Sequence, residues 1–201
     1  VVVMVVQQNE FNAFDQRLLE RTTFRCCDIT MYRLTLKYIH DHGELTDANT
    51  LSVTCPITGK PLHVGLLYFR AGYTPTDFPT EDEWSARELI ERSKAVKCPN
   101  LPYHLAGTKK VQQLLAQPGA VEQFLTPEDS AFVRTTFSGL YSLDASEYPD
   151  GEQGLERVLE RLLANPQDYV LKPQREGGGS NFYGDDVARK LSELSESERK
   201  G

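Results

Sequence analysis

The sequence predicts an α/β protein: a small parallel-sheet domain followed by a mostly helical portion. Three observations carry this. The apolar run Val1 to Val6 leads into Phe11, Phe14 and Leu18 at helical spacing, the strand-then-helix opening of a parallel unit. A second strand-like run, Leu62 to Phe69, ends at Arg70-Ala71-Gly72-Tyr73. Beyond about residue 103 the apolar period is helical, with Tyr169-Val170-Leu171 as the one visible strand.

Taken in order, Val1 to Val6 reads as a buried strand, too short to span a membrane and without the flanks of a signal peptide. Residues from about 9 to 20 form an amphipathic helix. On it Asn12 and Gln16, four apart and opposite the apolar stripe, share a face that periodicity alone reads as solvated. Residues 29 to 35 are rich in β-formers, and Leu51, Val53 and Cys55 alternate before the turn Pro56 to Lys60, giving a hairpin arm ahead of the core strand. Thr80 and Glu83 make a capping box for a helix from Glu81 to about Lys97, with Trp84, Leu89, Ile90 and Val96 packing. Pro99 and Pro102 end that helix, and a domain boundary falls near residue 103, giving domains 1–103 and 104–201.

In the second half Gly107-Thr108-Lys109-Lys110 starts a helix, and paired lysines at its positive dipole end would be relieved by an anionic partner. Thr126-Pro127 caps the next helix, which runs past Phe132, Val133 and Phe137. Leu155, Val158, Leu159, Leu162 and Leu163 mark another, ended by Asn165-Pro166, and Val187, Leu191 and Leu194 mark the last. A single strand cannot complete a sheet, so this half lacks partners.

Lys plus Arg number 22 and Asp plus Glu 29, a formal charge of −7. General binding to nucleic acid or an anionic membrane is therefore not expected, and any phosphate must be held locally. Cys26, Cys27, Cys55 and Cys98 show no metal-ligand spacing and read as reduced thiols of a cytoplasmic protein. His40-Asp41-His42 has no third ligand near it and reads as a surface loop. The first residue is not Met and the end is polar, from which a piece of a longer chain is expected.

Two segments carry chemistry. Arg70 to Tyr73 leaves the C-terminal end of a strand, where open α/β sheets bind ligands. There Arg70 can offer a planar fork to a carboxylate, and Gly72 lets the backbone come close. The segment Lys172-Pro-Gln-Arg-Glu-Gly-Gly-Gly-Ser-Asn-Phe-Tyr183 follows a strand with a cation, a carboxylate and three glycines, whose backbone N–H groups can wrap a phosphate. Glu176 beside that cradle suits a hard metal ion. The pattern is neither a P-loop nor a dinucleotide fingerprint.

This second segment, with Asn181 and Tyr183-Gly184, closely resembles the glycine-rich loop of eukaryotic glutathione synthetases, ATP-grasp ligases joining γ-glutamylcysteine to glycine. Asn12-Ala-Phe-Asp-Gln16, Tyr68-Phe-Arg-Ala-Gly-Tyr73, Glu91 to Pro99, Leu105 to Gln113 and Gly139 to Leu143 agree in the family's order, so the resemblance runs nearly end to end. It implies a Rossmann-like substrate-binding domain over 1–103 and an incomplete ATP-grasp portion over 104–201, with the loop at 172–184. By the same resemblance Glu10, Asn12, Gln16, Arg70, Ala71, Gly72 and Tyr73 hold the dipeptide. Lys109, Lys172, Glu176, Gly177, Gly178, Gly179, Ser180, Asn181 and Tyr183 bind ATP, and Glu176 ligates Mg2+. Ala71 stands where the family often has an acid, and Ser180 where it usually has Asn.

The resemblance further implies a homodimeric, cytoplasmic parent enzyme. The family's upstream magnesium-binding Glu and Asn, an upstream catalytic Arg, and the adenine- and glycine-binding segments have no counterpart here, so the chain alone is expected to be inactive. The alternatives are a non-catalytic substrate-binding module, a related ligase with another small amino acid as acceptor, and a non-enzymatic interaction domain.

Overall fold

A computed structural model describes residues 1–9, 12–173 and 181–195. The chain divides into two compact units, Val1–His104 and Leu105–Gly201.

The first unit is built on a four-stranded sheet. Its strands are β1 (Val2–Val5), β2 (Met31–Leu34), β6 (Leu66–Phe69) and β7 (Val96–Cys98), in the order β2-β1-β6-β7 and all parallel. β1 is central and apolar throughout, as a strand covered on both faces must be. Helix α1 (Ala13–Cys27) connects β1 to β2. Helix α2 (Leu36–His42) and a separate antiparallel sheet of β3 (Gly43–Leu45), β4 (Leu51–Thr54) and β5 (Pro61–His63) precede β6, and α3 (Glu81–Arg92) connects β6 to β7. The residues 40–42 expected in a loop close α2, and His40 lies 3.4 Å from Asp82.

One sheet face is dry. Val3, Val5, Leu34, Leu67 and Phe69 form a buried cluster with Leu36 and Ile39 of α2, Leu51 and Val53 of β4, and Ala86 and Ile90 of α3. The Thr80–Glu83 capping box forms as expected, with the Thr80 N–H donating to Glu83 Oε2 at 3.0 Å. The helix stops at Arg92, however, and residues 96–98 form a fourth strand, so Val96 is not a helix-packing residue and is 61% exposed. A three-residue strand directly after a helix leaves no periodicity of its own to read.

The other face corrects the expected polarity of α1. The helix runs from Ala13 to Cys27, Gln16 is fully buried, and Phe14 is 92% and Leu18 64% exposed. Asn12 precedes the helix as its cap residue, so it does not share a helical face with Gln16. Met4 and Arg33 are registered neighbours and therefore point to one face, and Arg33 Nη1 donates to Gln16 Oε1 at 3.2 Å. Glu20 Oε1 lies 3.9 Å from Arg33 Nε. A charged strand residue half-buried under the helix favours an acceptor above it, and Gln16, turned inward, supplies one.

The second unit contains α5 (Lys109–Ala116), α6 (Pro127–Arg134), α7 (Glu152–Ala164) and α8 (Asp185–Glu193), preceded by the short α4 (Leu101–Ala106) that crosses the unit boundary. Pro102 lies inside α4 instead of ending a helix. α6 stops at Arg134, short of Phe137. Arg134 meets both carboxylate oxygens of Glu122, at 2.5 and 2.6 Å, and donates to the Ala116 and Gln117 carbonyls that end α5. This partner holds the Glu122 carboxyl down at about 2. Two short strands, β8 (Val170–Leu171) and β9 (Phe182–Tyr183), pair antiparallel, so the strand visible in the sequence does have a partner. Leu171 and Phe182 pack on a small core of Leu162, Val187 and Leu191.

Candidate functional site

The connections leaving β1 and β6 diverge. From β1 the chain runs to β2 on one side, and β6 lies on the other. Such a reversal of strand order opens a crevice at the C-terminal ends of the two central strands, the general ligand position of open α/β sheets. The segment into α1 exits from β1 and the turn beginning at Arg70 exits from β6, so this crevice lies between the two segments the sequence singles out.

Arg70 extends the ladder by donating its backbone N–H to Val5 O at 2.9 Å. Its guanidinium forms an ion pair through Nη2 with Asp15 Oδ2 on α1. Burial works against its charge, but the hydrogen bond to Tyr68 and the Asp15 carboxylate outweigh this and hold its pKa above the usual value. The pairing is one-armed: Arg70 Nε and Asp15 Oδ1 are both buried with no hydrogen-bond partner. Each partner of the pair thus keeps one polar atom unused and closed to solvent in this arrangement.

Ala71 and Gly72 are buried behind Arg70. Gly72 has φ +89°, while a Cβ there would meet nothing closer than 3.6 Å. The glycine is thus required by its backbone conformation, and the close approach the sequence led us to expect is not its main reason. Tyr73 turns back so that its hydroxyl donates to Phe69 O, and its ring meets His104 edge-on at 5.2 Å. Burial pushes its phenol pKa above the ordinary value. Beneath the turn the Arg87 guanidinium covers the Phe69 ring at 4.1 Å, with Nη2 2.8 Å from Glu91 Oε1.

Two participants escaped the sequence reading. Asp15 was hidden because its partner Arg70 is 55 residues away. Asp77, which organises the turn, was legible in principle: Thr74-Pro75-Thr76-Asp77 has the spacing of a capping box, and one is formed. Gln16 supports the helix beneath the crevice through Arg33, whereas Asn12 is exposed at its mouth. Glu10 lies outside the described residues.

In the second unit Lys172 is exposed immediately after β8. The pairing of Leu171 with Phe182 holds the two ends of the intervening segment together. Glu176, Gly177, Gly178, Gly179 and Ser180 lie outside the described residues. At the far end Asn181 Nδ2 donates to the Tyr183 hydroxyl at 3.2 Å, and Asn181 Oδ1 is buried without a partner. Gly184, with φ +55°, then starts α8, and a Cβ there would lie 2.7 Å from Gln167 Oε1. Lys109 is the first residue of α5, capped by Thr108, and its neighbour Lys110 forms an ion pair with Glu147. A cleft of about 490 Å3 lined by Arg134, Phe137, Tyr141 and Tyr148 contains none of the expected ATP-binding residues. Among the described residues no three His, Cys, Asp or Glu side chains converge on a metal site.

Residues 1–106 match the family described as eukaryotic glutathione synthase. The chain is 44% identical to the chloroplastic glutathione synthetase of Arabidopsis thaliana, covering 100% of this chain and 34% of that protein. It is 42% identical to glutathione synthetase of Homo sapiens, covering 100% and 40%, and 41% identical to that of Dictyostelium discoideum, covering 98% and 40%. Among solved structures, a glutathione synthetase-like effector from Globodera pallida in its apo form shares the fold, with a TM-score of 0.60 over 100% of this chain and 38% of the other, at 17% identity. The chain thus spans between a third and two fifths of the length of these relatives, and it belongs to the eukaryotic glutathione synthase family.

Proposed function

We propose that this chain supplies the dipeptide-binding and part of the ATP-binding elements of a glutathione synthetase. In the reaction assigned to the parent enzyme, the C-terminal carboxylate of γ-glutamylcysteine attacks the γ-phosphorus of ATP, releasing ADP and forming an acyl phosphate. The glycine amine then attacks that carbonyl, a proton leaves the nitrogen, and inorganic phosphate departs. The observation that carries the reading is the one-armed Arg70–Asp15 pair at the sheet's switch point, in a chain of this family. γ-Glutamylcysteine carries carboxylates that suit the Arg70 guanidinium and an ammonium that suits the Asp15 carboxylate. Asn12, Tyr73 and Glu10 are assigned to the rest of the dipeptide, with Ala71 and Gly72 shaping the turn and Gln16 holding the helix in place.

For the nucleotide, Lys109 and Lys172 are assigned to the phosphates and Gly177 to Asn181 with Tyr183 to the covering loop. The pairing of Leu171 with Phe182 brings Lys172 and Asn181 onto neighbouring strand ends, which supports assigning both to one ligand. Mg2+, when bound, would neutralise phosphate charge, and Glu176 is its assigned ligand. The described residues do not complete a magnesium site, so no step is derived through the ion. Because the magnesium-binding Glu and Asn and the adenine- and glycine-binding segments that the resemblance implies have no counterpart in this chain, it is assigned no turnover of its own, and a coupled ADP-release assay with γ-glutamylcysteine and glycine is expected to stay at background. A homodimer in the cytoplasm is the assembly the family reading implies for the parent. The four unpaired cysteines fit a reducing compartment, and no described helix is long and apolar enough to cross a membrane.

The test is a titration of the 15N-labelled chain with γ-glutamylcysteine. Saturable shifts of the Gly72 and Tyr73 amides, not reproduced by glycine alone, are the expected result. A spectrum unmoved at millimolar dipeptide would remove the reading.

A further inference from the structure

The carboxylate of Asp77 does more than cap its own 3-10 turn, Pro75–Asp77. Its Oδ2 accepts the backbone N–H groups of Gly72 at 3.0 Å, Tyr73 at 2.9 Å and Thr74 at 3.2 Å. Its Oδ1 accepts from Gln7 Nε2 at 3.2 Å. Capping explains the bond to Thr74 alone. The Gly72 and Tyr73 bonds lie before the 3-10 turn, and Gln7 belongs to the exit of a different strand, β1.

One side chain thus gathers three successive N–H groups of the Arg70–Tyr73 turn and ties that turn to the opposite wall of the crevice. The Arg70–Asp15 pair and the Arg70 N–H bond to Val5 O also join these two exits. We propose that Asp77 is a positioning residue for the dipeptide, acting through Arg70 and Tyr73, an inference that rests on the turn being the dipeptide site. Without the carboxylate the three N–H groups turn to water, and the φ +89° conformation at Gly72 loses the bond that selects it. The turn then presents Arg70 in its binding position for a smaller fraction of the time, and the apparent affinity falls by that fraction.

The experiment repeats the amide titration with Asp77→Ala and Asp77→Asn, alongside the unaltered chain. Asp77→Ala is expected to weaken γ-glutamylcysteine binding at least tenfold (roughly), whereas Asp77→Asn, which keeps an acceptor oxygen, stays within about threefold. Asp77→Ala affinity within about twofold of the unaltered chain overturns the proposal, as does Asp77→Asn binding no better than Asp77→Ala. If Asp77→Ala does not fold, Gln7→Leu decides the matter, because it removes only the Oδ1 bond. Binding about threefold weaker supports the tie between the two exits, and unchanged binding overturns it. An unaltered chain that binds no dipeptide removes the assignment of the turn itself, which separates that failure from this one.

Discussion

The two faces of the four-stranded sheet are stabilised by different physics. Toward α3 the strands bury Val3, Val5, Leu67 and Phe69 against aliphatic side chains, so the layer is fixed by close packing. Toward α1 the contact includes Gln16 and Arg33, and the apolar Phe14 and Leu18 point outward. Packed aliphatic layers resist displacement, while a hydrogen-bonded contact can re-form after a small shift. The difference teaches that the strands, and with them the base of the Arg70 turn, are held by the dry face. The helix bearing Asp15 is held in part by directional polar contacts, Gln16 to Arg33 and Asp15 to Arg70.

This contrast can be broken at either face. Ile90→Ala removes a fully buried side chain from the dry face and should cost roughly 2–5 kcal/mol in urea unfolding. The only tryptophan, Trp84, stacked on Phe78 at 4.0 Å, reports that transition by fluorescence. Gln16→Leu takes the acceptor from Arg33 and should cost about 1–3 kcal/mol, although it places a more apolar residue at a buried site. A stabilising Gln16→Leu would mean that the α1 face is an ordinary apolar layer.

Thr80→Ala, at the cap of α3, should cost about 1 kcal/mol at neutral pH. It should also flatten the acid limb of the stability curve. The Thr80 hydroxyl holds the Glu83 carboxyl below its ordinary 4.5, so its contribution is complete above that pH and disappears as pH falls through the lower folded value. An unchanged acid limb would remove Thr80 as the cause. Phe14→Ser should alter stability by no more than about 0.5 kcal/mol, since Phe14 is 92% exposed. A loss of several kcal/mol there would restore the polarity that periodicity suggests.

The features legible in the sequence were those decided locally. The Thr80–Glu83 box lies within four residues, and the run ending at Phe69 announces both a strand and its exit. The orientation of α1 was not legible, because Gln16 faces inward toward Arg33, 17 residues on in another element. β7 was absorbed into the preceding helix, with Val96 continuing its apolar pattern. β9 has two residues and borrows its pairing from β8, so Phe182 and Tyr183 read as loop. For the site, residue types at the two strand exits could be read directly. The Arg70–Asp15 pair and the gathering of N–H groups on Asp77 needed the topology that brings those exits together.

The central claim, that the β1/β6 crevice takes γ-glutamylcysteine through the Arg70 fork, is tested most directly by measuring dipeptide affinity for Arg70→Lys by calorimetry. Lysine keeps the charge but cannot offer two parallel donors, so binding should weaken by roughly 10- to 100-fold while Trp84-monitored stability changes little. An Arg70→Lys chain that binds the dipeptide as tightly as the unaltered one would contradict the account.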